Sequence, residues 1–111
     1  AAVVTLQRQV DQIHCAEPIR EYIALLAAST RTHSDVALGI SPRGALSLML
    51  ISKAWALLEN RGYVIPDDVQ RMIYPVFSHR LILKPEARLK KRTAQDVIQN
   101  VLSGVVVPGA I

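Results

Sequence analysis

The segment Ile40-Ser41-Pro42-Arg43-Gly44, directly before a long apolar-periodic stretch, does most to limit how this chain folds. Serine is favoured as a helix N-cap, and proline is favoured at the first helical position. The spacing predicts a helix from Pro42 to about Asn60, with Leu46, Met49, Leu50, Ala54, Leu57 and Leu58 as a broad apolar stripe. So wide a stripe implies a central, mostly buried helix with others packed around it. Arg43 falls in its first turn, where the positive end of the helix dipole disfavours a cation by on the order of a few tenths of a kcal/mol. The same turn offers unpaired backbone N–H groups that suit a phosphate. An arginine placed there points to an anionic ligand.

Helical periodicity recurs on both sides of this segment. Leu6, Val10 and Ile13 predict a helix from Thr5, its cap, to His14. Ile19, Tyr22, Ile23, Leu26 and Ala27 form the apolar face of a second helix from about Pro18 to Arg31. Residues 32–39 are polar with a glycine and read as a loop. After the central helix, Gly62 is the expected left-handed C-cap and Tyr63-Val64-Ile65 an extended approach to Pro66. A fourth helix follows with Val69, Met72, Ile73, Val76 and Phe77 inward. Asp67 and Asp68 suit its positive start, and Pro75 is expected to kink or split it. Leu81-Ile82-Leu83 reads as a short strand or an apolar strap, and residues 84–92 as a charged, mobile connection. Thr93 caps a last helix carrying Val97, Ile98, Val101 and Leu102. The fold class is all-α, a small helical bundle.

At 111 residues the chain fits one domain. Its longest apolar run is far short of the roughly 18 residues that a membrane span needs. No secretory leader is visible, and a cytoplasmic setting is expected. A start at Ala1 suggests a cut or processed fragment. The single cysteine, Cys15, excludes an internal disulfide and a thiolate metal cluster and reads as a small buried hydrophobe. A net charge of +4 is compatible with a nucleotide or nucleic-acid partner.

No complete catalytic constellation appears. The phosphate-cradling G-x-x-x-x-G-K-[ST] loop is absent. His14, His33 and His79 lie far apart without metal-ligand spacing, so no metal site is expected. Ser41 has no evident base, and adjacent Asp67 and Asp68 face different directions on a helix. The isolated chain reads as a non-enzyme.

An ordered set of segments resembles the C-terminal helical lid of an AAA+ ATPase of the MoxR family. It comprises Ser29-Thr30-Arg31, then Leu38-Gly39-Ile40-Ser41-Pro42-Arg43-Gly44, the Leu/Ala-rich helix, Asn60-Arg61-Gly62-Tyr63-Val64-Ile65-Pro66-Asp67-Asp68-Val69, and Ser78-His79-Arg80. One departure is local. The family often has Gly-Arg followed by an acidic residue and Tyr-Val, whereas here the glycine follows Arg61. The resemblance implies one AAA+ lid over 1–111, with a helical core over about 5–80 and a connection and C-terminal helix over about 81–111.

The resemblance implies further that Arg43 is the sensor-2 arginine, reaching the γ-phosphate on a neighbouring core domain, with Ser41 and Pro42 beside the nucleotide. ATP with Mg would be bound mainly by that absent core, and hydrolysis would belong to the joined protein. Arg31, Arg61 and Arg80 match family positions and are candidate interface residues. Arg61 and His79 also read as structural, His79 as a partly buried histidine. A homo-oligomeric ring, commonly a hexamer, chaperone-like remodelling and von Willebrand factor A-type partners are implied. The alternative from the residues is a DNA-binding helical module, helix-turn-helix or histone-fold-like. No helix concentrates basic and amide side chains on one face, so nucleic acid is not the expected partner, even at Lys90-Lys91-Arg92.

Overall fold

Four helices carry a proline in their first two positions, where the missing N–H costs nothing and the fixed φ suits a helix. The computed structural model describes residues 2–109. In order they form α1 (Ala2–Asp11), α2 (Glu17–Thr32), β1 (Val36–Leu38), α3 (Pro42–Leu58), α4 (Pro66–Phe77), β2 (Ile82–Leu83), α5 (Pro85–Leu89) and α6 (Ala94–Gly104). The architecture is the expected helical bundle, with one two-stranded antiparallel ribbon, β1 against β2. α3 packs on α4, α2 and α1, and α6 closes over α2 and α4. The core draws Tyr22 and Leu26 from α2, Leu48 from α3, Ile73 and Phe77 from α4, and Val97 and Ile98 from α6.

The buried side of α3 differs from the predicted stripe. Gly44, Leu48, Ser52 and Ala56 face inward, while Leu46 is 51% exposed, Leu58 is 74% exposed, and Leu50 is also exposed. Three of the four inward residues are small. They let neighbouring helices approach the α3 axis, so fit outweighs side-chain size in choosing the buried face. Met49 and Leu57 pack at the margin of the core.

Other local expectations are corrected by longer-range pairing. α1 starts at Ala2, so Thr5 lies inside it rather than capping it, and the helix ends before His14. His14 instead bridges to Tyr63, its N–H donating to the Gly62 carbonyl at 2.8 Å. The expected loop 32–39 contains β1, which forms because Leu81-Ile82-Leu83 supplies a partner strand, with Val36 opposite Leu83. Residues 84–92 fold as α5 and a tight turn, with Lys91 left-handed at φ 61°. Pro75 sits within a single continuous α4 and does not split it.

The end of α3 also differs. Asn60, at φ 60°, takes the left-handed position expected of Gly62. Arg61 N–H donates to the Ala56 carbonyl at 2.9 Å and Asn60 N–H to that of Leu57 at 3.0 Å, a complete Schellman motif. Asparagine tolerates that conformation better than other residues with a Cβ. Cys15 is buried, and desolvation pushes its thiol pKa up.

Candidate functional site

The site begins with the way α3 is started. Ser41 is its N-cap, with Oγ accepting from Gly44 N–H at 3.2 Å and its carbonyl accepting from Ala45 N–H at 3.0 Å. Pro42, Arg43 and Gly44 form the first turn, which holds no acidic residue. The positive end of the dipole therefore has no carboxylate of its own helix against it. Ser41, Pro42 and Arg43 are all exposed, and Arg43 has neither a side-chain hydrogen bond nor an ion pair among the described residues. A planar guanidinium on an exposed corner, at the positive end of a helix, can receive a phosphate oxygen pair.

That corner is held by α2. Thr30 Oγ1 donates to the Ala27 carbonyl at 2.6 Å and accepts from Ile40 N–H at 2.9 Å. Arg31 Nη1 donates to the Ile40 carbonyl at 2.5 Å. Two glycines are sterically required. A Cβ on Gly39 would lie 2.7 Å from Arg31 Cα, and one on Gly44 would lie 2.7 Å from Ile40 Cγ2. The stem of Arg80 passes beside Gly44, and its Nη2 donates to Ser47 Oγ at 3.3 Å. Arg80 and His79 then line one side of an open groove of about 570 Å³, with Leu50 and Ile51 of α3 opposite. His79 is exposed rather than partly buried, because it follows the last turn of α4 instead of facing the core.

The candidate arginines thus separate. Arg43 and Arg80 sit at the start of α3. Arg31 is bonded to the loop that leads into it. Arg61 lies away from this corner, at the start of α4. There it grips Asp68 with both terminal nitrogens, at 2.7 and 2.6 Å, and Asp68 Oδ2 also accepts Ile65 N–H at 2.9 Å. The carboxylate of Asp68 raises the Arg61 pKa further. Arg92 of the basic run is paired with Asp35 at 3.0 Å and Asn100 at 2.7 Å. Among the described residues no cluster of three His, Cys, Asp or Glu is placed to hold a metal, and no helix is long and apolar enough to cross a membrane.

Sequence reasoning overlooked Thr30 as a holding residue, although a signal was present. It continues the spacing of Ile23, Leu26 and Ala27, and a hydroxyl in a buried register must find a hydrogen-bond partner.

Residues 28–101 match the profile of the AAA lid domain family. An uncharacterised Bacillus subtilis protein, YeaC, is 41% identical over 105 residues, which is 95% of this chain and 33% of that protein. Chaperone MoxR1 of Mycobacterium tuberculosis is 40% identical over 75 residues, 68% of this chain and 20% of the relative. Protein MoxR of Paracoccus denitrificans is 32% identical over 85 residues, 65% of this chain and 25% of the relative. A crystal structure of a Cytophaga hutchinsonii protein provisionally described as an ATPase superposes with a TM-score of 0.86 at 28% identity, over 90% of this chain and 33% of that one. The chain spans a third or less of the length of these relatives.

Proposed function

The chain belongs to the AAA lid domain family, as the lid of a MoxR-type AAA+ ATPase, and we propose that it closes over ATP held by a separate core domain and supplies Arg43 as the sensor-2 arginine. One observation carries this reading: Arg43 is exposed and unpaired among the described residues, in the first turn of a helix that brings no acidic residue to its own positive end. A γ-phosphate is the anion that would complete it. Ser41 and Pro42 set the direction of that turn beside the nucleotide. ATP and Mg would be held chiefly by the core, since this chain has no phosphate loop of its own.

In this reading the guanidinium binds the γ-phosphate while it is present and stabilises charge that develops as the bond breaks. Loss of the phosphate removes the tie between lid and core, so hydrolysis couples to lid movement. Through a ring of such subunits, commonly a hexamer in AAA+ relatives, that movement would drive chaperone-like remodelling of other proteins. Partners of the von Willebrand factor A type and a cytoplasmic location are part of the same proposal. Arg80, beside the first turns of α3, is the second candidate for contact with the core or a neighbouring subunit.

The test is Arg43→Ala in the full-length polypeptide. ATP hydrolysis falls at least about tenfold while the thermal melt of the lid stays unchanged, as for removal of a preorganised charge at a reacting phosphate. An unchanged rate would sink the assignment.

A further inference from the structure

Arg31 has the exposure of an interface residue and the contacts of an internal strut. Its backbone meets Gly39 so closely that no Cβ fits between them. From there its guanidinium reaches the Ile40 carbonyl at 2.5 Å, while the preceding Thr30 hydroxyl takes the Ile40 N–H at 2.9 Å. Consecutive side chains of α2 thus hold both polar groups of one residue. Ile40 is fully buried, and its Cγ2 stands against the first turn of α3 at Gly44. It adjoins the Ser41 cap, three residues before Arg43. The two bonds hold the successive peptide groups on either side of the Ile40 Cα, and only the soft dihedrals of Ser41 separate the second of them from Pro42. The orientation of these peptides therefore sets where the first turn points.

We propose that Arg31 is a positioning residue for Arg43, acting through the Ile40 carbonyl, with Thr30, on the Ile40 N–H, as the other half of the grip. This rests on the phosphate role of Arg43 stated above. A guanidinium–phosphate contact is directional, and a misplacement of about 1 Å in a reacting geometry costs on the order of a hundredfold in rate. The grip tunes aim, so its loss falls on turnover more than on nucleotide affinity, which the core supplies.

The experiment is a double-mutant cycle in the full-length ATPase, reading kcat, KM for ATP and the thermal melt. Arg31→Met keeps the stem against Gly39 and removes the donor to Ile40, whereas Arg31→Lys keeps a donor. The expected result for Arg31→Met is a kcat lower by about fivefold to tenfold with KM within about twofold, as for a small misplacement. Arg31→Lys stays within about twofold of wild type, and adding Arg31→Met to Arg43→Ala lowers kcat no further. A wild-type kcat for Arg31→Met, or losses that multiply in the double variant, would overturn the proposal. Should Arg31→Met fail to fold, Arg31→Leu, which likewise has no donor for the Ile40 carbonyl, carries the same test. A fall in kcat that vanishes in the Arg43→Ala background supports positioning, and a wild-type kcat or a fall that persists there overturns it. An Arg43→Ala chain that hydrolyses ATP normally removes the phosphate reading itself, an outcome distinct from normal turnover in Arg31→Met alone.

Discussion

At the start of α4 an arginine, a buried carboxylate and a backbone amide close on one another, whereas at the start of α3 the arginine faces solvent. Both helices open with proline, and both have an arginine within five residues of it. α4 brings Asp67 and Asp68 to its first turn, and Asp68 binds Arg61 and Ile65 N–H. α6 does likewise, with Asp96 accepting Thr93 N–H at 2.9 Å while Thr93 Oγ1 accepts Asp96 N–H at 3.2 Å. α3 brings no carboxylate. The starts of α4 and α6 carry their own anion, and the end proposed to serve the nucleotide leaves that place open.

Breaking the closed end should have the largest effect. Asp68→Ala removes the partner of Arg61 and leaves Ile65 N–H without an acceptor. The expected loss is roughly 2 kcal/mol of folding stability, read by chemical denaturation of the 111-residue chain, since hydrogen bonds to charged groups are worth more than neutral ones. Hydrolysis by the folded fraction of the full-length protein should be little changed. Thr93→Ala should cost about 1 kcal/mol by the same assay, the usual worth of an N-cap.

Converting the open end into the closed kind sharpens the comparison. Arg43→Glu places a carboxylate in the first turn of α3 and should stabilise the isolated chain by about 0.5 kcal/mol while abolishing hydrolysis in the full-length protein. A change that improves the fold and removes the activity separates the two roles of a helix start.

The smallest effect concerns acid. Hydrogen bonds from Thr93 hold the Asp96 carboxyl below its ordinary value of 3.8. A depressed folded-state pKa contributes stability that is present above that value and lost as pH falls through the folded pKa. The α6 cap should therefore weaken only below about pH 4. Asp96→Asn should flatten that part of an acid titration followed by circular dichroism.

These helix starts were legible in the sequence because caps are local: Ser41-Pro42, Pro66-Asp67-Asp68 and Thr93 each announce themselves within four residues. The α2 face was legible too, since Ile19, Tyr22, Ile23, Leu26 and Ala27 are all buried. What depended on distant partners was not. β1 exists only because Ile82-Leu83 lies beside it, and the buried face of α3 was settled by close approach at Gly44, Ser52 and Ala56. Asn60 displaced Gly62 because the α3 hydrogen-bond ladder ends two residues earlier than the glycine's position suggested. At the candidate site, Arg43 was legible from its place in a capped first turn. The grip of Thr30 and Arg31 on Ile40 was not, because nine or ten residues separate the partners.

The most direct test of the open end is a structure of the full-length ATPase bound to a non-hydrolysable ATP analogue. The account predicts the Arg43 guanidinium within hydrogen-bond distance, about 3 Å, of the γ-phosphate oxygens, with Arg61 still on Asp68. A closed lid in which Arg43 points to solvent, and another residue takes the γ-phosphate, would contradict it.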